Sequence, residues 1–503
     1  MNLATPVPAG RRDLWGPSAV WVGCYLIAAA ALLLLAMVGS DAVKWYAMVL
    51  LVAGGVVLVI RREADAYGMV DFSNPVIMSL LASVVFFGLL GAPNVFSTAS
   101  HHPLLSPGDG PLFRALATVG VSMLCIWLGS RLAEPIFRAR PQPLSQLWAR
   151  VRPQRMIVAV AVGALARLVL LVTGNLGYQG YGKGGDLTGY ANWLATASDL
   201  LPFAAGLFLL DWFTTRRRAS LHAMLILSMS EVATSIIAGV KGLVLSLVVF
   251  LAVVAIRAGR RPSLRVAVTA AVVFLVVIGP AVETFRHQVQ QSGAPKSISQ
   301  RITAPLSLVG GNSGGALGAA KASYHNAVYE ERNLLVDIAL IQSRTPSVFP
   351  YQHGRRWMQA PLVAAVPRAV WSGKPSLSNG VEIAVRYGGA PAGGGTSMPA
   401  TMVGDAWIQF GWLGVIAASF ALGAVYRLVY TWVVRRGSAG WTIALCFVVA
   451  GSLFSAGTDL ASLLTSAARE FIVLGLVAGW VLRGRVRPDR TSGADPALGH
   501  GLA

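Results

Sequence analysis

Residues 221–256 read LHAMLILSMSEVATSIIAGVKGLVLSLVVFLAVVAI. Two apolar runs meet at the turn Ala238-Gly239-Val240-Lys241-Gly242. Arginines bracket the unit, Arg216 to Arg218 before it and Arg257, Arg260, Arg261 and Arg265 after it. Each run has roughly 18 residues, and about 20 apolar residues rising about 1.5 Å each cross a hydrocarbon core of about 30 Å. The stretch therefore reads as a helical hairpin across a bilayer. Arginine gathers on the cytoplasmic side of such proteins, so the turn is expected to face outward.

Outward from this hairpin the pattern repeats. Apolar segments at 20–38, 43–60, 75–92, 112–129, 156–173, 196–213, 264–282, 401–426, 441–456 and 468–482 join 221–238 and 243–256. Arg11-Arg12, Arg61-Arg62, the Arg131 to Arg155 segment, Arg435-Arg436 and Arg483 to Arg490 fall at every second gap. The expectation is an all-α polytopic membrane protein of about twelve transmembrane helices, with both termini cytoplasmic. Helices 1–9 occupy 1–282, a large outer-face loop 283–400, helices 10–12 401–483, and a cytoplasmic tail expected to lack order 484–503. Segment 20–38 follows a basic start, but it is long for a signal sequence, and removing it would break the alternation.

Composition supports the bilayer as solvent. With mean hydropathy +0.62 and 12% charged residues, the chain cannot clothe a soluble enzyme, whose surface needs roughly a quarter charged residues. Barrel strands would alternate in polarity over about 10 residues, and no such alternation runs through the chain. The net charge of +20 does not signal nucleic acid, because the positive residues sit in short interhelical links that form no basic face. Cys24, Cys125 and Cys446 lie singly in apolar segments and read as small hydrophobes. Nucleotide loops of the Gly-x-x-x-x-Gly-Lys-Ser/Thr kind, His-Glu-x-x-His and Gly-x-Ser-x-Gly are absent from the sequence, so no cofactor or metal is implied.

The loop 283–400 is long enough to be functional. Its cations Arg286, Lys296, Arg301, Lys321, Arg332, Arg344, Arg355, Arg356, Arg368, Lys374 and Arg386 outnumber its acids Glu283, Glu330, Glu331, Asp337 and Glu382. Either an anion binds there, or the loop is translocated regardless of its charge. Amphipathic stretches such as 324–341 predict short helices packed on the membrane domain. Within the apolar segments Arg167 and Glu231 stand out, and Lys241 sits at the hairpin turn. Charges there are either paired for structure or line a polar cavity opening outward, with Lys241 at its mouth to meet a phosphate.

Three runs carry a resemblance. Pro350-Tyr351-Gln352-His353-Gly354-Arg355-Arg356 leads through Val366-Pro367-Arg368-Ala369-Val370-Trp371 to Gly373-Lys374-Pro375. Gly404-Asp405-Ala406-Trp407-Ile408-Gln409-Phe410-Gly411 opens the returning helix, and Val240-Lys241-Gly242 forms a basic turn. Together they resemble the O-antigen-polymerase-like (Wzy-class) repeat-unit polymerases, with Asp405 where Glu is usual and Lys241 where Arg is usual. The resemblance implies a GT-C-like membrane glycosyltransferase in the bacterial cytoplasmic (inner) membrane. It would use no metal and transfer glycan at the outer face from a polyprenyl-pyrophosphate-linked oligosaccharide to a lipid-linked repeat unit. Membrane lipid and a chain-length regulator are the further partners implied, with no nucleic acid.

In that reading Arg368 and Lys374 stabilise the leaving pyrophosphate, with Lys241, Arg286, Arg301, Arg355 and Arg356 as further phosphate-binding candidates. Glu382, Asp405 and His353 compete for the acceptor hydroxyl's proton. Two rivals stand beside it. One is an O-antigen-ligase-like transferase. The other is a transporter or flippase of lipid-linked glycan, against which counts the lack of a counterpart to the long loop in the first half.

Overall fold

The computed structural model describes residues 28–32, 41–67, 70–89, 110–134, 144, 150–177, 191–260, 263–274, 278–279, 281–282, 285, 334–366, 371, 380–389, 398–453 and 457–483. In chain order the helices are α1 Asp41–Tyr67, α2 Pro75–Ser83, α3 Gly110–Ala133, α4 Pro153–Thr173, α5 Ala191–Ser198, α6 Leu200–Thr215, α7 Arg218–Ala238 and α8 Lys241–Arg257. They continue with α9 Leu264–Val273, α10 Leu334–Arg344, α11 Arg355–Ala365, α12 Gly380–Arg386, α13 Met402–Arg436, α14 Ala439–Leu453 and α15 Leu460–Val481. A π-helical turn, Val84–Leu89, extends α2. Among the described residues the one extended pairing is antiparallel, Arg150–Val151 against Leu482–Arg483.

Six helices among the described residues are long and apolar enough to cross a membrane: Gly110–Ala133, Pro153–Thr173, Asn192–Thr215, Arg218–Ala238, Met402–Arg436 and Leu460–Val481. The protein is thus all-helical, with the make-up of a polytopic membrane protein. The expected helix at 20–38 and the tail 484–503 lie wholly or largely outside the described residues, as do most of 283–333.

Polar contacts sort the helix ends into two groups. Glu63 at the end of α1 pairs with Arg131 of α3 at 2.8 Å, and Arg427 of α13 reaches Glu134 at 3.3 Å. Asp71, just before α2, accepts from Arg257 at the end of α8 (2.8 Å) and from the Tyr430 hydroxyl of α13 (2.6 Å). The start of α4 is tied to the end of α15 through Arg152 N to Val481 O and Arg155 to Trp480 O. The arginine-bearing links therefore share one end of the bundle. The turn at Gly239, with φ of 67°, and the starts of α13 and α15 lie at the other end, which is the segregation that alternating basic clusters demand.

Two cores result. One gathers α1, α2, α3, α10, α12 and α13, and the other α4, α6, α8, α14 and α15. The tightest seam is α3 on α13. A Cβ on Gly129 would overlap the carbonyl oxygen of Phe420, and one on Gly423 that of Ile126. Ser122 and Ser419 share a hydrogen bond of 2.8 Å across the same seam. Small residues let membrane helices approach closely and gain dispersion contacts. Gly129→Ala and Gly423→Ala are each expected to lower thermal stability in detergent by about 1–3 kcal/mol. Gly242→Ala, where no atom lies within 4 Å of the added carbon, should leave the melting temperature in place.

The loop contributes α10, α11 and α12. Helix α10 is not laid on the surface as an amphipathic helix. Leu334, Leu335, Val336, Ile338, Ala339, Leu340, Ile341 and Gln342 are all buried, because it is inserted beside α3 and α13, with Gln342 donating to Thr118 at 2.7 Å. A helix covered on nearly every side must be apolar nearly all round.

Candidate functional site

Helix α13 is 35 residues long, about 52 Å at 1.5 Å per residue, more than one crossing needs. It is broken near its start, at Phe410 (φ −149°, ψ 17°) and Gly411 (φ 61°, ψ −138°). The Thr401 side chain caps the first segment by accepting from Gly404 N at 2.9 Å. The break frees backbone carbonyls, and the turn after Pro350 takes them. Gln352 N donates to Ile408 O and His353 N to Gln409 O, each at 3.0 Å. The Gln409 side chain accepts from Gly354 N at 3.0 Å and donates to Gln352 Oε1 at 3.1 Å.

Two glycines make this docking feasible. Gly411 has positive φ, and a side chain there would also press on the Tyr351 hydroxyl at 2.7 Å. Gly354, at φ 76°, starts α11 with the Phe410 ring against it. Any other residue would carry the positive-φ penalty at both positions, and at Gly411 it would also have to displace the Tyr351 hydroxyl.

Asp405 stands one turn before the break and is fully buried. Its Oδ2 accepts from the Trp357 indole N–H (2.9 Å) and from Leu460 N (3.2 Å). Among the described residues its Oδ1 has no hydrogen-bond partner within bonding distance, although the Gln409 amide is close by. Asp459 caps α15 by accepting from Ser462 N at 2.9 Å, and Arg356 approaches its Oδ2 at 3.5 Å. The His353 and Trp357 rings each lie 6.0 Å from the ring of Phe410. The arrangement is a buried carboxylate with one enclosed oxygen left unpaired among the described residues, beside a second, arginine-paired carboxylate. It can take up a proton, and the neighbouring arginines can meet an anion.

Of the residues singled out from the sequence, His353, Arg355, Arg356 and Asp405 therefore converge on one place, Arg355 as the exposed first residue of α11. Glu382 does not join them. It lies half-exposed on α12 and pairs with Arg386 one turn on, at 3.0 Å. Lys241 opens α8 at the hairpin turn. Arg286, Arg301, Arg368 and Lys374 lie outside the described residues. Arg167 and Glu231 form an ion pair at 2.6 Å. Trp357 and Asp459 were not legible as site residues. The one signal was Asp459-Leu460-Ala461-Ser462, an acidic cap-like residue opening an apolar run.

Next to Asp459 in the chain, Thr458 lines a small crevice of about 60 Å³ together with Met402, Ser79, Ser83, Ser122 and Tyr426. Among the described residues no group of three or more His, Cys, Asp or Glu is placed to hold a metal ion.

Residues 185–454, more than half of the chain, match the family described as a domain of unknown function (DUF8712). The chain belongs to the DUF8712 family. No curated protein and no solved structure matches it. The DUF8712 segment runs from before α5 into the last residues described of α14, so it contains the turn at His353, helix α11 and the broken α13. Asp459, which completes the Asp405 site, lies just beyond it.

Proposed function

We propose that this DUF8712 protein is a membrane polysaccharide polymerase. It transfers glycan from a polyprenyl-pyrophosphate-linked oligosaccharide to a lipid-linked repeat unit at the outer face of the cytoplasmic membrane. What supports the reading is the convergence of the two polymerase-like runs: Gln352 and His353 are bonded to the freed carbonyls beside the Phe410–Gly411 break, next to buried Asp405. In this reading Asp405 takes the proton of the acceptor hydroxyl. Arg355 and Arg356, with Arg368 and Lys374 of the same loop, meet the lipid pyrophosphate. Of the three candidate bases Asp405 is favoured, because its carboxylate is buried beside the break with one oxygen unpaired among the described residues, whereas Glu382 is exposed on α12 beside Arg386.

The transporter reading also has an observation in its favour, since discontinuous helices are common at transport sites and α13 is discontinuous. One experiment separates the readings. Full-length protein in detergent, incubated with lipid-linked oligosaccharide in EDTA, should yield a ladder of polymer. A single transfer to a foreign acceptor would point to a ligase, and no reaction, with lipid-linked glycan moved across proteoliposomes, to a transporter. The twelve-crossing topology has its own check. Reporter fusions after Arg218 and Arg436 should read cytoplasmic and a fusion near Ser313 external, and a cytoplasmic reading at Ser313 would defeat the proposal.

A further inference from the structure

Helix α11 carries three surfaces in order around its axis. At about 100° per residue, Val363, Arg356, Ala360 and Trp357 fall on one side, Pro361, Met358 and Leu362 on the next, and Arg355 and Gln359 on the last. The first side is packed on protein. Ala360 and Val363 are buried, Arg356 reaches Asp459 before α15, and the Trp357 indole binds Asp405 while its ring meets Phe410. The second side is apolar and open, with Met358 71% and Leu362 62% exposed and Pro361 exposed between them. The third is exposed and polar. Water on both open sides would favour polar residues on both, whereas a helix lying in a bilayer surface meets protein, lipid chains and headgroups in this order.

The bundle sets the depth of this helix. After its break α13 carries two exposed tryptophans, Trp412 and Trp432. Their spacing corresponds to about 30 Å along the axis, the thickness of a hydrocarbon core. Trp432 has Arg436 stacked over it at 4.3 Å, at the arginine-bearing end of the bundle. Tryptophan settles at headgroup level on both sides of a membrane, so Trp412 marks the opposite surface. It follows closely on Phe410, the ring against which Gly354 starts α11. Exposed apolar residues continue on the elements that α11 touches, Leu413 just past the break and Leu464 near the start of α15.

We propose that α11 is an interfacial helix, seated in the bilayer surface at the Asp405 end of the bundle. Met358, Pro361 and Leu362 rest among lipid chains, and Arg355 and Gln359 sit at the level of the lipid phosphates, which the Arg355 guanidinium meets. This gives the candidate site a position. Asp405, held by Trp357 on the protein side of the same helix, lies near headgroup level, where a lipid-borne group comes to it sideways from the bilayer. The placement of α11 stands whether or not the protein transfers glycan.

Electron paramagnetic resonance of the full-length protein in lipid nanodiscs tests it, with one spin label at a time on Met358→Cys, Leu362→Cys or Gln359→Cys and with Cys24, Cys125 and Cys446 replaced by alanine. Collisions with oxygen, which concentrates in lipid, and with a water-soluble nickel chelate give the depth of each label. Leu413→Cys, exposed on α13, is the lipid-facing reference. The labels on Met358→Cys and Leu362→Cys should lie about 5–10 Å below the phosphates, and the label on Gln359→Cys at or above them. All four positions are exposed, so labels there leave the packed face of each helix intact. Equal access of the nickel chelate to the three α11 labels would put the helix in water and overturn the proposal. Shielding of Met358→Cys and Leu362→Cys from both reagents would show the apolar strip covered by protein, and would overturn it as well.

Discussion

If the proposed polymerase function holds, Asp405→Asn is expected to lower glycan transfer by about 100-fold or more while leaving the protein folded. An asparagine side chain is nearly isosteric, and its carbonyl oxygen can still accept from the Trp357 indole and from Leu460 N, the two donors that Asp405 Oδ2 serves. What disappears is the basic oxygen at the buried Oδ1 position. The exchange also removes a negative charge that lies near Asp459, so the melting temperature should hold or rise. Asp405→Ala is a harsher change, because it strands both donors in a buried place. Glu382→Gln is the matched control, since its exposed pairing with Arg386 contributes at most about 1 kcal/mol. Wild-type rates for Asp405→Asn at equal membrane abundance would remove Asp405 from the chemistry.

The largest loss of stability is expected for Asp71→Ala. Asp71 is 3% exposed, and its carboxylate accepts from Arg257, Tyr430, Ser73 N and Ser73 Oγ. Arg257 is itself 2% exposed. Removing the carboxylate leaves a buried guanidinium without its counter-charge, which typically destabilises by about 3–5 kcal/mol. Thermal unfolding in detergent should show a drop of many degrees, and membrane abundance should fall with it. Asp71→Asn combined with Arg257→Leu should recover much of the loss, because replacing both partners removes the stranded charge. If the single and double variants unfold at the same temperature, the pair is not what joins α8, α13 and the start of α2.

The hairpin at 221–256 shows how far local reading reaches. Its two helices are found at Arg218–Ala238 and Lys241–Arg257, with the turn at Gly239 and Val240. Here apolar length, basic flanks and a glycine agreed. The returning helix was read as 401–426, but α13 continues to Arg436 and breaks at Phe410–Gly411. Nothing in that run's hydropathy marks the break, because it is stabilised by Gln352, His353 and Gly354, more than fifty residues earlier. Helix α10 differs for a related reason. A short apolar run in a loop is indistinguishable from an amphipathic surface helix until the helices that cover it are known.

The site was legible as two motifs but not as one place. Asp405 was a candidate by its position in a Gly-Asp…Phe-Gly run, with Glu382 and His353 as equals. Burial and hydrogen-bond partners separate the three, and these depend on groups 48 and 55 residues away in the chain, Trp357 and Leu460.

By itself the sequence determined that this chain is helical, that its helices suit a bilayer, and that its basic links alternate with neutral ones. Those properties follow from transfer free energies and helical rise, which each segment carries regardless of its neighbours. Tertiary structure alone decided that α3 and α13 share a glycine seam, that Asp71 holds both Arg257 and Tyr430, which lie 186 and 359 residues from it in the chain, and that Asp405 rather than Glu382 is enclosed beside Arg356 and Asp459. Such contacts are set by which helix faces which, and that choice belongs to the packed assembly, since apolar lipid and apolar helix surface attract a single helix almost equally.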